Sequence, residues 1–269
     1  MSTTETTIAV AQFAPASDAR DNLASIRTLT AKAAKRGAKL VVFPEYSSYF
    51  LPDLGQDLVD AAEPIDGHFV QGIAALSVEF DVHIVAGLVE RLDEANRFAN
   101  TLVATSPAGS VVATYRKLHL YDAFGAKEST WVRPGDIEAP ETFQLGDFTV
   151  GLQTCYDLRF PEVTRRLVDA GANLVVVPSE WVRGPLKEHH WRTFVTARAL
   201  ENTIYVAAAD HAPPIGVGNS MIVDPMGVEI ATVGEITDVA TAVIVRDRLD
   251  KVRTINPALN LRRFAVSPR

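Results

Sequence analysis

Apolar runs of strand length alternate with amphipathic stretches of helical period along almost the whole chain. A sequence written that way closes as layers of sheet and helix. Residues 8–13 (IAVAQF) read as a strand, 23–36 as a helix ended by Gly37, and 39–43 (KLVVF) as a short buried strand. A helix over 69–80 leads to a strand over 82–89, and strands over 99–105 and 111–115 meet at the turn Ser106-Pro-Ala-Gly-Ser110. The pattern resumes with a strand at 148–154, then a helix from Pro161 to Ala170, with proline in its first turn and Gly171 at its exit. A strand at 173–177, a helix at 188–202 and strands at 204–208, 220–223, 229–232 and 240–245 complete the series. Strands separated by helices pair in parallel, whereas the hairpin spacings at 99–115 and 220–232 require antiparallel pairs. The expected fold class is therefore α/β, with mixed sheets covered by helices. No low-complexity linker and no repeat of solenoid period divides the chain, so a single domain over residues 1–269 is expected.

Composition narrows the partners. With 47% hydrophobic and 22% charged residues over 269 positions, the chain can bury a substantial core. Its 33 acidic against 26 basic residues, a formal −7, disfavour nucleic acid or an anionic membrane surface as the main partner. The longest apolar runs, such as residues 174–178, fall far short of the roughly 20 residues that cross a bilayer. No basic segment followed by an apolar stretch opens the sequence, and a single cysteine excludes an internal disulfide. Both point to the cytoplasm.

That cysteine, Cys155, stands where the strand over 148–154 stops, just ahead of the helix opened by Pro161. A lone thiol is an inert core side chain, a redox-sensitive group or a nucleophile. Two further strand exits carry polar groups: Glu45 follows Val41-Val-Phe-Pro44, and Lys117 follows Tyr115-Arg116. Strand exits are where α/β sheets assemble their sites. The three groups complement one another chemically. A thiol needs a base or a positive field to become a thiolate. A desolvated Glu45 could take its proton, and Lys117 could stabilise the thiolate and then an oxyanion, with the backbone N–H of Tyr156 as a second donor.

Phe43-Pro-Glu45, Tyr115-Arg-Lys117-Leu-His119-Leu120 and Cys155-Tyr-Asp157-Leu-Arg159-Phe-Pro-Glu162 resemble the three signature blocks of the nitrilase (carbon–nitrogen hydrolase) superfamily, in that order and at typical separations. Three more segments agree with it: Glu128-Ser129 followed by Pro134-Gly135, Trp191 with residues 197–202, and residues 218–227 as a late β-hairpin. The likeness runs from about residue 7 to 263. It implies a four-layer αββα sandwich with mixed β-sheets and a Glu–Lys–Cys triad. By position, Glu45 is similar to the general base, Lys117 to the transition-state stabiliser and Cys155 to the nucleophile. Glu128 is similar to the carboxylate that positions substrate or the hydrolytic water. The implied reaction is hydrolysis of a small carboxamide to acid and ammonia through a Cys155 thioester, with no metal or organic cofactor, in a homodimer or higher homo-oligomer.

Within the superfamily, a compact chain of this kind looks most like the bacterial relatives of the deaminated-glutathione amidase and ω-amidase branch. A nitrilase or an N-carbamoyl amino acid amidohydrolase is the alternative. A non-catalytic interaction protein on the same fold is the alternative of another class, and the intact Glu45, Lys117 and Cys155 stand against it. The expected pocket residues are Tyr46, Tyr49, Tyr156, Glu180, Trp181 and Arg183, and Arg183 or Arg133 could pair with a substrate carboxylate. Glu180 stands where these amidases carry a small residue, a departure that favours a cationic or amine-bearing amide. His119 invites a Cys–His dyad, but the Cys-Gly-x-Cys-Trp pattern of papain-like peptidases is absent, and the resemblance makes His119 structural. His189-His190 has no partners at metal-ligand spacing, and Gly216-Val-Gly218 reads as a turn. Arg159 is expected to hold the turn after Cys155 through salt bridges.

Overall fold

The computed structural model describes residues 5–268. Its first half runs β1 (Glu5–Gln12), α1 (Ala19–Lys35), β2 (Leu40–Val42), α2 (Gln56–Ala61), α3 (His68–Phe80), β3 (His83–Arg91), β4 (Phe98–Thr105) and β5 (Val111–Arg116). The second half runs β6 (Thr142–Leu145), β7 (Phe148–Leu152), α4 (Pro161–Asp169), β8 (Leu174–Pro178), α5 (Lys187–Asn202), β9 (Tyr205–Ala209), β10 (Met221–Val223), β11 (Glu229–Thr232), β12 (Asp238–Val245) and α6 (Arg246–Ile255). Expectations made for the N-terminal segment fall largely on Met1–Thr4, outside the described residues.

Two six-stranded sheets result, in the orders β12-β1-β2-β3-β4-β5 and β11-β10-β9-β8-β7-β6. Each has a parallel centre, β1-β2-β3 in one and β7-β8-β9 in the other, with antiparallel pairs outside it. The helices between the central strands enforce this, because a parallel neighbour requires a crossover while a hairpin delivers an antiparallel one. Strand alternation then sorts the core into layers. Val10, Val42 and Val85 face Val150, Val176 and Ala207 between the sheets. Ala9, Val41 and Ile84 turn the other way, onto Ile26, Leu29 and Ile73 of α1 and α3. Val175 and Val206 pack outward against Leu167, Trp191 and Val195 of α4 and α5. The molecule is thus the expected αββα sandwich with mixed sheets.

Local chemistry explains where the elements differ from the sequence reading. Helix α1 starts four residues earlier than the apolar period indicated because Asp18, in extended conformation, accepts from the N–H groups of Arg20 and Asp21. Strand β7 stops at Leu152 and leaves Gln153-Thr154 irregular, so Cys155 begins a separate 3-10 turn, Cys155–Arg159. Three elements have no counterpart in that reading: β6, α2 and α6. Helix α2 buries only Leu58 and α6 only Leu249 and Val252, too few apolar positions to register as a period. No helix among the described residues is long and apolar enough to cross a membrane.

Candidate active site

Four strand exits meet at one edge of the sandwich: β2 leads to Glu45, β5 to Lys117, β7 to Cys155 and β8 to Glu180. The first exit depends on a glycine. The chain carrying Glu45 and Tyr46 crosses so close to β3 that a Cβ on Gly87 would lie 2.7 Å from Glu45 C and Cα, and closer still to Tyr46 N. Tyr46 itself turns in the left-handed region, at φ 56°.

Glu45, Lys117 and Glu128 form a buried cluster, with side chains 1, 2 and 4% exposed. Lys117 Nζ donates to Glu45 Oε1 at 2.8 Å and to Glu128 Oε2 at 2.9 Å and Oε1 at 3.1 Å. Asn100 Nδ2 donates to both carboxylates, at 2.6 Å to Glu45 and 3.1 Å to Glu128. Glu128 also accepts from the Tyr46 hydroxyl at 2.8 Å and the Tyr121 N–H at 2.6 Å. Glu45 Oε2 accepts from the backbone N–H of Glu180 at 2.7 Å, and its carbonyl takes a hydrogen bond from His211 Nε2 at 2.7 Å. That bond needs the proton on Nε2, and burial holds the His211 imidazolium pKa at about 4, so the ring is neutral.

The two carboxylates differ in their environments. Burial pushes Glu45 up, and Lys117 only partly opposes it, so it sits above the usual range. Burial presses on Glu128 too, but Lys117, the Tyr121 N–H and the Tyr46 hydroxyl outweigh it and hold the group below that range. Desolvation works against the Lys117 ammonium, yet Glu128 and Glu45 more than offset it and raise its pKa well above the usual value. The environment therefore favours charge on Lys117 and Glu128 and makes Glu45 the readier proton acceptor.

Cys155 is buried, with φ 41°, a conformation rare for a residue with a side chain. Its Sγ lies 3.5 Å from the carbonyl of Glu180. Burial, with the Glu45 carboxylate next, pushes the thiol well up, and Lys117 draws it down by less. The surroundings therefore favour the thiol over the thiolate at rest. Asp157 secures the turn: its carboxylate accepts from the Thr154 N–H at 3.2 Å, the Tyr115 hydroxyl at 2.7 Å and the His119 N–H at 3.1 Å. It also meets His119 Nδ1 at 2.8 Å, and the His119 ring stacks on Phe160 at 3.7 Å. His119 thus ties the segment bearing Lys117 to the turn bearing Cys155.

A cavity of about 570 Å³ opens over Cys155, Glu45, Lys117 and Glu128. Five of the expected pocket residues line it: Tyr46, Tyr156, Glu180, Trp181 and Arg183. Tyr49 does not; it packs into the apolar cluster of Phe50, Leu58 and Phe98 beneath. Arg183 stands at the rim already paired, 2.8 Å from Glu235, and Arg133 lies outside the cavity, 3.9 Å from Glu94. Arg159 makes no salt bridge with any described carboxylate. Its guanidinium lies 4.9–5.8 Å from the ring centres of Phe124, Tyr156, Trp181 and Phe194, with Nε unpaired. The turn after Cys155 is held against rings, where a guanidinium gains from the π faces.

Sequence reasoning missed Lys187. Its side chain is buried on the cavity wall, with Nζ 2.9 Å from the Tyr121 hydroxyl and 4.5 Å from the Phe124 ring centre. No described carboxylate pairs with it. Asn100 was also missed, although a polar amide in the apolar strand β4 is a readable signal; a lysine opening a helix is ordinarily exposed and gives none. Burial, then the charges of Glu45 and Asp210, push the Glu180 carboxyl well up towards its neutral form.

The sequence profile of the carbon-nitrogen hydrolase family matches residues 7–254. The chain is 39% identical to a deaminated glutathione amidase of Escherichia coli O157:H7, over 96% of this chain and 97% of that one. It superposes on Nit3 of Saccharomyces cerevisiae, a member of branch 10 of the nitrilase superfamily, with a TM-score of 0.84 at 26% identity, covering 97% of each chain. It superposes also on a mutant of the amidase from Nesterenkonia sp. AN1, in which acrylamide has added to the active-site cysteine; the TM-score is 0.76 at 25% identity, over 95% of this chain and all of that one. Profile, identity and superposition agree over nearly the whole length: the chain belongs to the carbon-nitrogen hydrolase family, within the nitrilase superfamily.

Proposed function

We propose that this protein is an amidase that hydrolyses a small, carboxylate-bearing carboxamide to acid and ammonia through a thioester on Cys155. The observation that carries the reading is the buried Glu45–Lys117–Glu128 cluster beside the chain's one thiol, at the floor of a cavity. Glu45 is the base. It takes the Cys155 proton as Sγ attacks the amide carbon, so a thiol with a raised pKa needs no standing thiolate. Lys117 Nζ and the Tyr156 N–H, at the open start of the 3-10 turn, stabilise the oxyanion. Glu45 returns the proton to the departing nitrogen, ammonia leaves, and the acyl group stays on sulfur. Glu45 then deprotonates a water that Glu128 helps to position; its oxygen adds to the thioester carbon, the C–S bond breaks to release the acid, and Glu45 returns the proton to the Cys155 sulfur.

The charge on the substrate follows from the cavity wall. Lys187, on that wall, is packed among the rings of Tyr121, Phe124 and Trp181 with no described carboxylate partner. A buried cation without a carboxylate partner is costly, and a substrate carboxylate in the cavity would complete Lys187. Deaminated glutathione, in the name of the Escherichia coli relative, is also a carboxylate-bearing amide, although its substituted amide bonds would release an amine rather than ammonia. The same reading carries one working domain in a cytoplasmic homodimer or higher homo-oligomer, which sedimentation and cell fractionation would check.

Ammonia release from paired amide and nitrile substrates tests the reaction, with intact-protein mass spectrometry of the acyl adduct. Cys155→Ala should lose turnover and the adduct while keeping the fold. Turnover by Cys155→Ala on the best substrate would overturn the covalent route.

A further inference from the structure

Glu180 sits at the most crowded point of the site and has no task in the mechanism above. Its backbone N–H holds Glu45 Oε2 and its carbonyl faces Cys155 Sγ, so its side chain starts one Cα away from both reacting groups. Glu180 is among the residues that line the cavity. Its Oε1 is buried with no hydrogen-bond partner, and no described residue donates to the carboxyl. A buried carboxyl oxygen left unmatched inside a ligand cavity is a group awaiting a ligand.

Charge decides which form meets that ligand. Glu45, Glu128 and Asp210 all act electrostatically on Glu180 against the single ammonium of Lys117. Asp210 already accepts the Trp181 N–H at 2.6 Å and leaves its own Oδ2 unmatched. A further negative charge there would oppose both Glu45 and the attacking sulfur. A neutral carboxyl avoids this and presents an O–H donor together with a C=O acceptor.

We propose that Glu180 is a specificity-determining residue of the amidase site, whose carboxyl donates a hydrogen bond to an acceptor oxygen on the acyl chain of the substrate, close to the scissile carbonyl. The inference rests on the amidase reading and adds a substrate feature to it: a 2-oxo, 2-hydroxy or similar oxygen substituent. It also separates this pocket from one with a small residue at the same position, which would offer no such donor.

The test pairs two primary amides that share a distal carboxylate, one carrying a 2-hydroxy or 2-oxo group and the other unsubstituted. kcat and KM are measured for the wild type, Glu180→Gln and Glu180→Leu. Wild-type ammonia release from the unsubstituted amide reports the amidase reading by itself; the ratio of kcat/KM between the two amides reports Glu180. The wild type should favour the oxygenated amide by about 10–100-fold, the range expected for one buried hydrogen bond. Glu180→Gln, which keeps a neutral donor, should retain most of that ratio. Glu180→Leu should bring it close to one while still turning over the unsubstituted amide. An undiminished ratio in Glu180→Leu overturns the proposal, as does its loss in Glu180→Gln, which would mean that an ionised carboxylate was acting. If the wild type releases ammonia from neither amide, the amidase reading itself falls, and this inference with it.

Discussion

Replacing Lys117 by methionine keeps the side-chain volume and removes the one cation of the buried cluster. Both carboxylates then remain at 1 and 4% exposure with their main partner gone. Their Oε1 atoms each lie within hydrogen-bond reach of the same Nζ, at 2.8 and 3.1 Å, so they are at most about 6 Å apart. At an effective dielectric near 20, two charges at that separation repel by about 3 kcal/mol. Breaking a buried pair from one side typically costs about 3–5 kcal/mol, which brackets the same value. Above neutral pH, Lys117→Met should therefore lose about 3–5 kcal/mol, a fall in the urea midpoint of about 1–2 M. Acid should relieve the deficit. Without Lys117 the carboxyl pair holds a proton more tightly folded than unfolded, so stability is fullest below the ordinary carboxylate range. It is lost as pH rises through the pair's raised titration. Urea unfolding followed by circular dichroism at pH 5 and pH 8 checks this. Equal midpoints for variant and wild type at pH 8, or the same deficit at both pH values, would refute the reasoning.

Three further outcomes follow from the geometry. The raised Cys155 thiol should make alkylation by iodoacetamide accelerate by about tenfold per pH unit above neutrality, because without a bound amide to align proton transfer to Glu45 the standing thiolate is the reacting species; a rate already flat by pH 7, followed by peptide mass spectrometry, would contradict a resting thiol. Lys187→Met should raise KM for a carboxylate-bearing amide by about tenfold or more, with kcat and turnover of a neutral amide little changed, whereas an unchanged KM would remove Lys187 from the substrate site. Gly87→Ala drives a Cβ into the backbone of Glu45 and Tyr46, so stability should fall by about 1–3 kcal/mol or more and activity with it; wild-type urea midpoint and turnover would show that the crossing is loose.

The layered fold was legible because its signal is periodic. Strands β2, β8 and β9 are continuous apolar runs and β1 and β7 carry apolar cores, and such runs separated by helices permit few arrangements. Glu45, Lys117 and Cys155 were legible because each is a reactive side chain at a strand exit within a recognisable block, and the structure brings Glu45 and Lys117 into contact beside Cys155. Lys187 and the ring-bound setting of Arg159 were not readable with the same ease. Their surroundings come from segments far apart in sequence: Lys187 meets Tyr121 across 66 positions, and Arg159 meets Phe124 from another loop. Charged residues also default to solvent in any single-sequence reading. Tyr49, close to Glu45 in sequence, is absent from the cavity lining and packs, partly buried, against the apolar cluster of Phe50, Leu58 and Phe98.

Asp157 gathers its donors from both halves of the sandwich: Tyr115 comes from β5 and His119 from the segment leaving it, and Thr154 from just past β7. The Glu180 N–H at the exit of β8 likewise grips Glu45 from the opposite sheet. Chemistry in this molecule is therefore a property of docked sheets, and neither sheet holds a working fragment of it. Turnover should vanish together with sheet docking in denaturant, ahead of any loss of helical signal if the halves part before they melt. The enzyme would then act as its own gauge of sandwich closure.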